Sequence, residues 1–109
     1  MNDPRRKELK GIQEEIKSIN KDAETLKEKI EALKDKIEGV RAEEETAYDN
    51  LPESFQESER GERMQNAIDS MDEAASDLSD IINSLEYCIS EMEDPLEYAV
   101  NNLQDAIDA

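Results

Sequence analysis

Apolar residues recur every three or four positions through the first part of the chain: Leu9, Ile12, Ile16, Ile19, Ala23, Leu26, Ile30, Leu33, Ile37 and Val40. Alternating steps of three and four make an a/d heptad seam, the pattern of a coiled-coil helix. Asp3 and Pro4 supply a start, with Asp as N-cap and Pro at the first helical position. The seam weakens at Glu44 and resumes with Ala47 and Leu51. A helix over residues 4–49 is predicted. Gly11 and Gly39 fall on its outer positions, each costing about 1 kcal/mol relative to Ala.

A connector over residues 50–60 follows. Pro52 disfavours helical geometry at Leu51 and ends the first helix. Asn50 and Glu53 have capping-box spacing, which predicts a short helical turn. Ser58 is placed to cap the second arm, with Glu59 and Glu62 near its positive end.

The second arm, over residues 61–93, repeats the heptad with Met64, Ile68, Met71, Ala75, Leu78, Ile82, Leu85, Ile89 and Met92. An extra apolar row accompanies it: Ala67, Ala74, Ile81 and Cys88. The stripe is wider than one partner helix covers, which predicts a third contact surface and a homodimer through these four residues. Asp94-Pro95-Leu96-Glu97 repeats the helix-start signal. It predicts a break, then a short helix over 95–108 with Leu96, Val100, Leu103 and Ile107 on one face.

These elements predict an all-α fold: a long antiparallel helical hairpin with a short third helix, dimerising into a helical bundle. Arms of matched length on either side of Phe55 fold back as one helical domain. That brings Arg5, Arg6 and Lys7 near Asp105 and Asp108 and packs the third helix on the start of the first. One seam between two thin helices buries little surface, which is a further reason to expect a second copy.

Charge is divided unevenly between the arms. Residues 1–41 hold eleven Lys/Arg and ten Asp/Glu, whereas residues 42–109 hold only Arg60 and Arg63 against twenty acids. Such a chain repels nucleic acid and membrane surfaces and attracts basic protein surfaces. Ten acids lie between Glu62 and Asp94, about one per 5 Å of helix. Duplex DNA carries one charge per ~1.7 Å, so one arm is sparse as a mimic, while two arms give about one per 2.5 Å. The expected partner-binding residues are Asp69, Asp72, Glu73, Asp77, Asp80, Glu86, Tyr87 and Glu91. The same acids also serve as an ordinary solvated face.

Chemistry finds little to work with. His is absent, and the single Cys88 rules out a disulfide within the chain and a thiolate-imidazole zinc site. The acids lack the spacing of a calcium loop. Ser nucleophiles have no neighbouring base. No cofactor, metal or catalytic residue is expected, and the chain reads as a non-enzyme. Cys88 reads as a small buried hydrophobe. No apolar run approaches the ~20 residues of a membrane span.

The stretch NLPESFQESERGE, Asn50 to Glu62, followed by an acidic amphipathic helix, resembles a motif of small acidic coiled-coil proteins of bacteriophages and prophages. The likeness covers residues 43–93; the first helix fits by composition, and residues 95–108 lie outside it. The resemblance implies the cytoplasm of an infected or lysogenic bacterium. Small acidic phage proteins as a class often inhibit host nucleases, anti-CRISPR and anti-restriction proteins among them. By that analogy the expected partner is a basic, nucleic-acid-binding host protein, occluded without chemistry. The rival expectation is a structural or assembly coiled coil. The absence of Lys from the second arm favours the inhibitor, because a structural coiled coil more often mixes both signs.

Overall fold

A computed structural model describes all 109 residues and contains three helices and no strand: α1 (Asp3–Asp49), α2 (Glu53–Gln56) and α3 (Glu59–Asp108). The all-α hairpin expectation holds. Asn2 caps α1, one residue before the expected cap: its Oδ1 accepts from the Arg5 amide at 3.0 Å, and its carbonyl accepts from the Arg6 amide. Asp3 then occupies the first turn, where its charge suits the positive end of the helix.

The chain divides into two compact units, residues 1–28 with 84–109 and residues 29–83.

The first unit pairs the N-terminal part of α1 with the C-terminal part of α3. Arg6 Nε donates to the Ile107 carbonyl at 3.0 Å, Gln13 Nε2 donates to the Val100 carbonyl at 3.0 Å, and Lys27 Nζ lies 3.4 Å from Glu86. Each seven-residue step along α1 is answered by an equal step backwards along α3, the register of an antiparallel pair. Arg6 therefore meets the end of α3 as expected, but it binds a carbonyl rather than Asp105 or Asp108. That carbonyl is one of the last four of a helix, which lack partners and carry the negative end of the dipole.

The second unit is a helical hairpin. The Asn50 amide still donates to Thr46, and Leu51 closes onto Tyr48. Gln56 reaches back to finish the end of α1: its Nε2 donates to the Tyr48 carbonyl at 3.1 Å and the Leu51 carbonyl at 3.2 Å. The short turn exists as expected, but its N-cap is Pro52 and no side chain caps it, so Asn50 does not form the capping box. Pro52 has φ −55°, the angle its ring imposes. Ser58 does cap α3: its Oγ accepts from the Gly61 amide at 3.4 Å, and its carbonyl accepts from Glu62.

Two expectations are corrected. The first concerns the seam of α1. Leu9, Ile16, Ala23, Ile30 and Ile37 are half-buried, but the other expected row is exposed: Ile12 38%, Ile19 38%, Leu26 49%, Leu33 44% and Val40 55%. Its place is taken by Gln13, Asn20, Lys27, Lys34, Arg41 and Tyr48. At 100° per residue, the helix is turned by about 50° from the expected seam. The acids of α3 explain the choice. Lys27 and Arg41 lay their alkyl stems along the seam and carry their charges to Glu86 and Asp72.

The second correction is at Pro95, where no break occurs: α3 is one helix of 50 residues with Pro95 inside it. A mid-helix Pro loses one hydrogen bond and crowds the preceding turn, at about 3 kcal/mol. Burial of Met92 and Leu96 on either side holds the helix through it.

Elsewhere α3 follows expectation. All nine seam residues from Met64 to Met92 are buried or half-buried, with Ile68 at 2% exposure and Ala75 at 8%. The core is nevertheless thin. Only Ile68, Ala75 and Ile107 are buried apolar residues, and no large side chain is wholly enclosed.

Candidate functional site: the acidic and apolar faces

In the second unit, Asp69, Asp72, Glu73, Asp77 and Asp80 are all exposed on α3. Asp72 leans towards α1 and is held there: Arg41 Nε donates to it at 2.9 Å, and Arg41 also binds Glu45. The hydrogen bond it donates to Asp72 holds the Arg41 guanidinium above its ordinary pKa, with the charges of Asp72 and Glu45 adding to the effect. The other four acids make no ion pair; Asp69 only accepts from Gln65 at 3.4 Å. No Lys occurs on α3, and its Arg63 is engaged by Glu59 at 3.1 Å. Four free carboxylates thus face solvent across the outer side of this segment.

In the first unit, Glu86 is tied to Lys27, while Glu91 is exposed and unpaired. Tyr87 is 69% exposed, and Tyr98 is 61% exposed. Tyr87 therefore stands as an open aromatic surface, the kind that interfaces favour. The eight expected partner-binding residues divide accordingly. Asp72 and Glu86 are already used within the chain, and the remaining six are available.

Of the expected dimer row, Ala67 and Ile81 are exposed and Ala74 is half-buried, all in the second unit. Cys88, in the first unit, is exposed. Within one chain the seam runs through Leu85 and Ile89 on either side and turns Cys88 outwards, in the same row as Ile81. Sequence reasoning missed the matching row on α1. Leu33 and Val40 in the second unit, and Ile12, Ile19 and Leu26 in the first, were assigned to the intramolecular seam but stand open. The signal was present in the cations one residue further on, since the acids of the partner helix draw Lys27 and Arg41 into the seam.

No group of three or more Cys, Asp or Glu side chains is arranged to hold a metal ion. No helix is long and apolar enough to cross a membrane. One open depression lies in the second unit, lined by Glu44, Arg60, Arg63 and Met64. Comparison with protein-family models, with curated proteins and with solved structures finds no match to this chain.

Proposed function

We propose that this protein is an interaction module that binds a basic protein surface through the outer face of α3 and performs no chemistry. The observation that carries this reading is the set of unpaired, exposed carboxylates Asp69, Glu73, Asp77 and Asp80 on a helix without Lys. Five of the eleven cations of α1 are held in local or cross-helix pairs, as with Lys17–Glu14, Lys34–Glu38 and Arg41–Asp72. On α3, Asp72 and Glu86 are paired across to α1, while Asp69, Glu73, Asp77 and Asp80 are left open. An anionic helix of this kind competes for a nucleic-acid-binding channel by steric and electrostatic occlusion. Taken with the resemblance to small acidic phage proteins, the target class is a host nucleic-acid-binding defence protein, which makes the module an anti-CRISPR or anti-restriction type inhibitor.

The test is a variant with Asp69, Asp77 and Asp80 replaced by Asn and Glu73 by Gln. It is compared with wild type for binding to a basic partner captured from a bacterial lysate, at low and high salt. The expected result is a sharp loss of binding, mostly as slower association, and a wild-type affinity that falls as salt rises. Equal binding by both proteins at every salt concentration refutes the reading. The second reading is an assembly coiled coil, favoured by the exposed apolar residues Leu33, Val40 and Ile81.

A further inference from the structure

The second unit carries an apolar side that its own helices leave uncovered. On α1 the seam rows are Ile30 and Ile37, with Lys34 and Arg41 four residues after each; the open residues Leu33 and Val40 come three after each. On α3 the seam rows are Met64, Met71 and Leu78, with Ile68, Ala75 and Ile82 four residues after each; Ala67, Ala74 and Ile81 come three after each. The offset is the same on both helices. An antiparallel pair is exchanged by a two-fold axis across it, so rows of equal offset lie on one side. The register of Arg41 with Asp72 sets Val40 nearly level with Ala74, and Leu33 nearly level with Ile81. One side of this hairpin is therefore an apolar strip, larger on α1 and smaller on α3.

We infer that this strip is a self-association face, on which a second copy of the chain seats its α3 against α1 and its α1 against α3, closing an antiparallel four-helix bundle. The inference shares Asp77 with the acidic face but rests on the apolar strip, which the proposed function does not use.

Three observations select a second copy. The first is shape. The larger row of α1 meets the smaller row of α3 only when unlike helices face each other. A two-fold axis parallel to the helices does this twice over, and it keeps the register found within one chain.

The second is charge. Beside the strip stand Lys29 and Lys36 on α1 and Asp77 on α3, all exposed and none in an ion pair. In the shared register Lys36 comes level with the Asp77 of the other copy. Seating α3 on α3 would instead oppose Asp77 and Asp80 with the same acids.

The third is area. The chain exposes 7891 Å², against about 6,100 Å² for a compact monomer of 12.4 kDa. A standard interface covers about 800 Å² per partner, so the surplus is ample for one. Exposed apolar rows of this kind also mark association sites in general.

The experiment is the mass of the whole chain in solution, by light scattering and sedimentation, from about 1 to 100 µM. The expected mass is twice 12.4 kDa. Ile81→Asp places two charges in the closed bundle and should weaken association by at least about 100-fold. It should leave helicity unchanged, since the side chain is 44% exposed within one chain. Lys36→Glu and Asp77→Lys should each weaken the dimer by roughly ten-fold through two symmetric contacts, and the double reversal should restore it. A wild-type mass of 12.4 kDa at 100 µM overturns the inference. A dimer that the double reversal does not restore overturns the pairing of unlike helices.

Discussion

Gly61 is the residue on which the turn depends, and Gly61→Ala tests that most directly. It is buried in the first turn of α3, against the last residue of α2. A Cβ there would fall on the Gln56 carbonyl oxygen, 2.6 Å from its carbonyl carbon and 2.7 Å from its Cα. All three are backbone atoms, so no rotamer change clears the way. Overpacking of this kind costs about 1–3 kcal/mol. Moving Gln56 also endangers its two bonds to Tyr48 and Leu51, each worth about 1 kcal/mol. Against this, Ala gains about 1 kcal/mol over Gly in a helix. The net expectation is a loss of about 2–4 kcal/mol, or roughly 10 °C or more in Tm.

Gly11→Ala and Gly39→Ala are the controls. Neither Cβ would meet anything within 4 Å, so each should stabilise by about 0.5–1 kcal/mol. Thermal unfolding followed by circular dichroism, at one fixed protein concentration, reads all three. If Gly61→Ala unfolds as late as the two controls, the close approach at the α2–α3 junction is wrong.

Pro95→Ala should stabilise the protein by about 1–3 kcal/mol, because α3 already runs through this position and Ala restores the missing donor; a lower Tm would show that Pro95 shapes the helix. Asn20→Leu should stabilise by about 1–2 kcal/mol, since the enclosed Asn20 Oδ1 has no hydrogen-bond partner; denaturant titration checks it, and a loss would mean that the amide is satisfied. Arg41→Ala should lower stability only slightly, and less at high salt, as exposed pairs do. The Arg41 pKa is raised in the folded chain, so its contribution is complete throughout the neutral range and is lost only as pH rises through the folded value at the alkaline extreme. The Arg41→Ala difference should therefore be flat from about pH 6 to 9, and a slope there would point to another group.

The first long helix and the seam of α3 were legible in the amino-acid sequence, because apolar residues on an acidic helix have one place to go. The rotation of α1 was not. Its row through Leu9, Ile16, Ala23, Ile30 and Ile37 belongs equally to a seam shared with Ile12 and Leu33 and to one shared with Gln13 and Lys34. Apolarity alone chooses the first. The acids of the opposite helix choose the second, and that information lies some thirty to sixty residues away. Pro95 was misread for a related reason: a local stop signal was outweighed by packing on either side of it. The acidic residues were identifiable one by one, but that Asp72 and Glu86 are used internally depends on which cations the turned helix presents.

The half-polar seam has a consequence for assembly from parts. Lys27 and Arg41 sit where an all-apolar coiled coil would have Leu, and they are answered by Glu86 and Asp72 across the pair. A peptide carrying α1 alone would bring like charges together if it paired with itself through this seam, and so would a peptide carrying α3. Mixed, the two satisfy each other. The chain cut within its connector should therefore reassemble from its fragments, and each fragment should select the other from a mixture of heptad peptides that outmatch it in hydrophobicity.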